Sequence, residues 1–306
     1  MAMQSTFGAA TAARTTLVFG ATGRQGGAVA RAAIRNGGSV RALIRDPGSA
    51  AAKALAADGV ELIPGDFSDP ASIRAAMKDI GGVFSIQPNS GSAGSGVTDA
   101  DEVRYGKLTA DLAVEAGVGH FVYSSASIIS KGPTGIPNLD CKIEIEDHVR
   151  GLAIPWTIVR PATFMELLAA PDFWPEPDLL YFFAGPEHPI EFIAADDIGR
   201  IAAAILDRGD RFAGQTINIA GEVLDGEHIR AALGKALGRP IGYARFPDAA
   251  LEQQPMLKRT VKLFEAERGA GNADLTALEQ EFGHSTRLED WLSGVGGALL
   301  RSATGA

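Results

Sequence analysis

The chain has 306 residues, of which 46% are hydrophobic, and this is the composition of a globular protein long enough to bury a large core. Its 37 acidic residues outnumber its 28 basic residues and give a net charge of -9, which argues against a nucleic-acid surface because duplex binding depends on a basic face. A single cysteine, Cys141, excludes an intramolecular disulfide and a cysteine-based zinc site.

The sequence contains no signal for a membrane span, a metal site or secretion. No apolar stretch approaches the length of a membrane span, and the five histidines show no metal-ligand spacing. Residues 1–14 are small and polar, so they are expected to form a flexible tail that is not a secretory signal. We therefore expect a cytoplasmic protein that binds no membrane, no nucleic acid and no metal.

The first predicted strand, residues 15–19, runs into a glycine-rich turn and then a helix that ends at residues 37–38. A second strand, residues 39–44, completes a strand-helix-strand unit of the length that binds dinucleotides. In such a unit the first glycine permits a tight turn, the second lets the backbone approach a pyrophosphate, and the third lets the helix pack closely. The residues predicted to bind the phosphates are Gly20, Thr22, Gly23, Arg24, Gln25 and Gly26.

The end of the second strand indicates which dinucleotide is bound. An acidic residue there would accept hydrogen bonds from the ribose of NAD, whereas an arginine accommodates the 2′-phosphate of NADP. This chain has Arg45, and Arg24 and Arg41 could add positive charge. Asp46 leaves NAD open as a cofactor, although Asp-Pro after a strand is also an ordinary turn. The predicted cofactor is NADP(H), with NAD(H) as the alternative.

Strands and helices continue to alternate through the first half of the chain. Strands are predicted at residues 60–63, 82–86 and 120–125, and helices at 70–78 and 101–116. This alternation predicts an α/β fold with a doubly wound, mostly parallel sheet of the Rossmann type.

The second half of the chain has a different pattern. Strands near 156–160 and 216–220 are expected to return to the sheet, and the proline- and aromatic-rich segment 171–189 is expected to cover the ligand crevice. Residues 231–238 are predicted to form a helix that ends at a glycine. We predict a dinucleotide-binding domain over residues 15–156 and a smaller, mostly helical domain for substrate or partner over residues 161–306.

Ligands of a doubly wound sheet bind at the carboxyl ends of its strands. Asp66 and Phe67 follow the third strand and are predicted to flank the adenine, with a capped turn and a core phenylalanine as the alternative. Gln87 follows the fourth strand and is expected along the nicotinamide ribose. Residues 89–96 are the most flexible stretch of the sequence and form either a lid or a loose loop.

Four segments together resemble the NmrA-like family of atypical short-chain dehydrogenases: residues 20–27, 40–47, 65–66 and 137–146. The resemblance covers nearly the whole chain from residue 15. It implies a Rossmann domain with a smaller helical domain, in a family that includes redox-sensing transcriptional co-regulators and NADP(H)-dependent reductases.

Enzymes of the wider short-chain superfamily use Tyr-x-x-x-Lys, in which the tyrosine donates a proton and the lysine holds the ribose. By resemblance Lys142 is that lysine, with a solvated helix residue as the alternative, and Ser124 or Ser125 stands where the catalytic serine would be. Asn138 occupies the position of the tyrosine. An amide cannot act as a general acid at neutral pH, so Lys142 and Asn138 are the predicted catalytic pair of a site without its usual acid.

Two functions follow from these observations. The missing tyrosine favours an NADP(H)-binding, redox-sensing regulator that acts on a protein partner. An NADPH-dependent reductase of quinones or small carbonyl compounds is the alternative, and it is favoured by aromatic residues suited to the walls of a small apolar substrate site. Those residues are Phe173, Trp174, Tyr181, Phe182 and Phe183.

Overall fold

A computed structural model of the protein describes residues 15–91 and 96–305. The predicted tail, residues 1–14, and residues 92–95 of the predicted flexible loop lie outside the described residues. Within the described ranges, no helix is both long enough and apolar enough to cross a bilayer.

The centre of the molecule is a seven-stranded sheet in which every strand runs parallel to its neighbours. Its order is β3-β2-β1-β4-β5-β6-β10, so the strand order reverses between β1 and β4. This confirms the predicted doubly wound α/β fold and places its ligand crevice above those two strands. The strands are β1 (Thr16–Val18), β2 (Val40–Ile44), β3 (Glu61–Pro64), β4 (Gly82–Ser85), β5 (His120–Ser124), β6 (Trp156–Pro161) and β10 (Gln215–Ile219).

Six helices cover the two faces of this sheet. They are α1 (Arg24–Arg35), α2 (Ala50–Ala57), α3 (Pro70–Ala76), α4 (Asp99–Glu115), α5 (Pro137–Arg150) and α6 (Ala195–Asp207). One apolar core joins Val18 of the sheet to α1, α2 and α6, and the other joins Leu17 to α3, α4 and α5. Successive strand side chains point to opposite faces, so the central strands β4 and β5, covered on both faces, are buried at every residue.

Most of the remaining elements build around a third core that contains Phe192, Trp291 and Leu300. Its strands are β7 (Thr163–Phe164), β8 (Leu179–Phe182), β9 (Ile190–Ile193), β11 (Glu222–Leu224) and β12 (Gly242–Arg245). The remaining helices are α7 (Gly209–Phe212), α8 (Gly226–Leu237), α9 (Asp248–Gln253), α10 (Pro255–Glu265), α11 (Leu275–Phe282), α12 (Leu288–Ser293) and α13 (Val295–Thr304). Of these, α7 and α11 pack against the core that contains Val18. The helix stop predicted at residue 238 is confirmed, since Gly238 ends α8 with a φ of 66°.

Helices α1 and α6 cross with almost no side chain between them. A Cβ atom on Gly199 of α6 would lie 2.5 Å from the carbonyl carbon of Ala28 in α1. Real Cβ contacts are longer than this, so only glycine allows the two backbones to approach so closely.

We expect Gly199→Ala to lower the free energy of unfolding by about 1–3 kcal/mol, because the new methyl group must push α6 away from α1. Chemical denaturation followed by circular dichroism measures this change. Gly151→Ala is the control, because a Cβ there would lie 3.4 Å from the His148 carbonyl oxygen and need displace little. An equal effect of the two substitutions would contradict the close helix packing.

Candidate functional site

The glycine-rich turn brings the start of α1 directly against β1. Gly20 has a φ of 65°, a conformation that favours glycine. A Cβ atom on Gly26 would lie 2.4 Å from the Gly20 carbonyl oxygen, so a larger residue would force the helix off the strand. No side chain caps α1 at Gly23, and the N–H groups of its first turn are therefore left to bind an anion.

A cleft of about 640 Å³ opens above this turn. It lies where the strand order reverses, and it extends from the glycine turn to the ends of β2, β3 and β4. Of the residues predicted to bind the cofactor, all but Lys142 line the cleft: Gly20, Thr22, Gly23, Arg24, Gln25, Gly26, Arg45, Asp66, Phe67 and Gln87.

Arg45 stands at the rim of the cleft with its side chain 73% exposed, and its Nε lies 4.0 Å from Asp66 Oδ2. The neighbouring Asp46 carboxylate accepts a hydrogen bond of 2.9 Å from the Gly48 N–H, so Asp46 stabilises the turn. The expectation that Arg41 could add charge here is wrong. Arg41 is bonded to the Glu61 carboxylate and to the carbonyl oxygens of residues 76 and 78, outside the cleft lining.

Asp66 and Phe67 combine the two roles that the sequence left open. The Asp66 carboxylate accepts a hydrogen bond of 2.8 Å from the Ser68 N–H, and hydrogen bonds from Ser68 lower the pKa of Asp66. Phe67 is half-buried, with its ring centroid 5.3 Å from that of Phe19 and 5.6 Å from that of Tyr105. Both residues nevertheless line the cleft, so the turn and the packing hold them at its wall.

A second cavity, of about 360 Å³, adjoins the cleft. The two share five lining residues, namely Gln25, Ile86, Gln87, Asn89 and Phe164. Its apolar walls come from Ile128, Leu167, Phe183, Met256 and Phe264, and its polar residues include Ser124, Ser125, Asn138 and Lys142. A mostly apolar cavity with a few convergent polar groups is typical of a small-molecule site.

The aromatic walls differ from those predicted. Of the five aromatic residues expected to form them, only Phe183 lines the second cavity. Phe182 is fully buried, and the Trp174 Nε1 donates a hydrogen bond of 2.9 Å to the Leu168 carbonyl oxygen in the third core. Aromatic side chains from a proline-rich segment therefore serve mainly as packing, and Tyr123, Phe164 and Phe264 supply the other rings of the cavity.

Lys142 is buried on α5 at the wall of the second cavity, so the alternative of a solvated helix residue is wrong. Its Nζ forms an ion pair with the Glu102 carboxylate of α4 and lies 3.5 Å from the Asn138 carbonyl oxygen. Asn138 lines the same cavity, and its Oδ1 is buried without a hydrogen-bond partner among the described residues. The two residues predicted to be catalytic thus lie one helical turn apart at the same cavity.

The cleft and the second cavity are joined by short polar contacts. Ser124 at the end of β5 donates a hydrogen bond of 2.7 Å to Gln25 Oε1 of α1. The Gln87 Nε2 donates a hydrogen bond of 2.8 Å to the Ser85 Oγ, and within the described ranges its Oε1 is buried and unpartnered. Buried polar atoms normally find a partner, so Gln87 and Asn138 present groups that a bound molecule could satisfy.

Sequence reasoning missed Glu102, which stands among Asp99 and Asp101 at the start of a helix, where acidic residues are ordinary. It also missed Tyr123, a buried cavity residue in which burial raises the pKa well above its usual value. Burial likewise raises the pKa of the Cys141 thiol to about 12, which disfavours the reactive thiolate. Across residues 15–91 and 96–305, no three His, Cys, Asp or Glu side chains gather as metal ligands.

Comparison with known proteins agrees with this geometry. The model of the NmrA-like family matches residues 12–289. An NAD(P)H azoreductase of Xenophilus azovorans is 32% identical over 230 residues, which are 74% of this chain and 75% of the azoreductase.

Two solved structures show the same fold. NmrA, a negative transcriptional regulator crystallised with NAD, has a TM-score of 0.78 and 23% identity and covers 94% of this chain and 97% of its own. An NADPH-dependent quinone oxidoreductase from Escherichia coli has a TM-score of 0.71 and 23% identity, and the match covers 91% of this chain and 98% of the oxidoreductase. Because the family model matches most of its length, the chain belongs to the NmrA-like family.

Proposed function

We propose that the chain binds NADP(H) in the cleft and reduces a planar, mostly apolar acceptor such as a quinone in the second cavity. The observation that carries the proposal is the junction of the two spaces, which share Gln25, Gln87 and Phe164. The shared residues would bring the nicotinamide to the mouth of the second cavity, and the apolar walls beyond it suit an acceptor. The relative named as an NAD(P)H azoreductase supports a reductase, since it is 32% identical over three quarters of this chain.

The residues of the cleft fit a phosphorylated dinucleotide. The uncapped start of α1 would hold the pyrophosphate, Arg45 would pair with the 2′-phosphate, and Phe67 would lie beside the adenine. The unpartnered Oε1 of Gln87 and the Lys142 ammonium would reach the nicotinamide half. When bound, the reduced nicotinamide supplies a hydride.

The side chains around the second cavity limit the choice of acceptor. Asn138 cannot give up a proton, and burial makes the Tyr123 phenol a poor acid by raising its pKa. A ketone needs an acid to protonate its developing alkoxide, whereas a reduced quinone can take its protons from solvent. The site is therefore suited to quinones, with Asn138 as a hydrogen-bonding and orienting residue.

A redox-sensing regulator is the second candidate function. The specific observation in its favour is Asn138 at the position of the superfamily's proton donor. In that case cofactor binding would change the surface that a protein partner meets, and Cys141 would not be the redox group because its thiol is buried.

Arg45→Ala is expected to weaken NADPH binding by about 10- to 100-fold, because a charged hydrogen bond to a phosphate contributes about 1.5–3 kcal/mol. NADH binding should barely change. Titration of both cofactors by calorimetry gives the two dissociation constants. Arg74→Ala is the control, since Arg74 pairs with Glu115 on the surface away from the cleft. Equal NADPH affinity in the Arg45→Ala variant and the wild type would contradict the assignment of the phosphate site.

Oxidation of NADPH should be accelerated by 1,4-naphthoquinone and only slightly by aliphatic ketones or aldehydes, when followed by absorbance. Thr260→Trp on α10 places a large ring in the second cavity and lies outside the cleft lining. We expect it to reduce quinone turnover at least tenfold while the dissociation constant of NADPH stays within twofold. If no acceptor accelerates oxidation, the regulator is favoured, and rapid turnover of simple ketones would show that another residue acts as the acid.

A further inference from the structure

The second cavity is lined by many uncharged side chains and by one buried ion pair. Of the side chains that the structure describes around it, only Glu102 and Lys142 carry a charge. Glu102 of α4 and Lys142 of α5 face each other, and only 2% of the Glu102 side chain and 11% of the Lys142 side chain are exposed. The wall of the cavity is therefore electrically neutral, although it contains an ammonium group.

Glu102 is fixed by further contacts. Its Oε2 accepts a hydrogen bond of 3.0 Å from the Ser90 N–H, while its Oε1 faces the Lys142 ammonium. The Ser90 hydroxyl lies 2.5 Å from Asp99 Oδ1, which ties the same loop to the first turn of α4. The carboxylate therefore cannot swing away from Lys142 without breaking its bond to the loop.

We propose that Glu102 is a specificity-determining residue that makes the second cavity select uncharged planar acceptors over anionic ones. That the ligand is a hydride acceptor rests on the reductase proposed above, but the preference concerns binding and can be measured without turnover. An anion that enters an apolar cavity loses its hydration and needs a counter-charge to compensate. The only cation in the described wall is already neutralised by Glu102.

Two probes that share the naphthalene ring and differ in charge test this proposal. The neutral 2-naphthol and the anionic 2-naphthoate are titrated by calorimetry into the full chain at pH 7.5. In the wild type we expect 2-naphthol to bind at least tenfold more tightly. Glu102→Gln keeps an oxygen for Ser90 but removes the charge, so the Lys142 ammonium becomes an unpaired cation in the wall. This variant should bind 2-naphthoate at least tenfold more tightly than the wild type, with less than a threefold change for 2-naphthol.

The matched control is an exposed ion pair between the same two helices. Lys107 of α4 and Glu144 of α5 lie 2.6 Å apart on the surface. Glu144→Gln removes one negative charge from α5 without touching the cavity lining, so both dissociation constants should stay within twofold of the wild type.

Lys142→Gln tests the preference for a probe of the opposite charge, and it is informative even if Glu102→Gln does not fold. It leaves the Glu102 carboxylate unpaired, so 2-naphthylmethylammonium should then bind at least tenfold more tightly than to the wild type. The double variant Glu102→Gln with Lys142→Gln removes both charges and should again prefer 2-naphthol.

Three results would overturn the proposal. They are equal binding of 2-naphthol and 2-naphthoate to the wild type, an unchanged ratio in the Glu102→Gln variant, and probe binding that survives Thr260→Trp. Failure of the reductase proposal has a different signature, because quinone turnover would be missing while the binding preference and its dependence on Glu102 remained.

Discussion

The close approach of small residues around α1 is the constraint on which the rest of the structure depends. Gly26 packs against the backbone of Gly20 on one side of the helix, and Ala28 packs against Gly199 of α6 on the other. These contacts fix the first turn of α1 at the end of β1, where the strand order reverses. The cleft lies there because the helix start, its N–H groups and the ends of the central strands all meet at that point.

The ion pair of Glu102 and Lys142 fixes the helices on the other face of the sheet, where it joins α4 to α5. A buried ion pair adds little stability, since desolvation of both charges offsets their attraction, but loss of one partner is costly. The ion pair serves mainly to position groups: it holds the Lys142 ammonium at the cavity wall, and its carboxylate binds Ser90 of the loop after β4. The same carboxylate therefore fastens the loop and pairs with the one cation that the described part of the cavity wall contains.

The fold and the cleft could be predicted because their signals are local. The strand, the three glycines and the helix are consecutive in the chain, and short apolar strands alternating with helices predict a parallel sheet. Glu102 could not be predicted as a site residue, because its role depends on Lys142, forty positions further on, and the helical start where it stands is an ordinary place for an acid. The aromatic segment was misjudged for a similar reason, since composition does not tell whether a ring such as Phe182 faces a cavity or the core. The roles predicted for Asn138, Lys142 and the cleft residues stay predictions until they are measured.

The loop after β4 gives a steric reason for the asparagine at position 138. A Cβ atom on Gly91 would lie 2.1 Å from Asn138 Nδ2, so the loop backbone rests directly on the amide. A tyrosine pointing in the same direction would have to displace this loop, and with it the Ser90 contact to Glu102. Asn138 and the buried ion pair are therefore linked, because the loop that fastens Glu102 occupies the space that a tyrosine ring at position 138 would need. In the proposed reductase, a neutralised lysine and protons taken from solvent would suit an uncharged acceptor whose reduced form needs no acid from the protein.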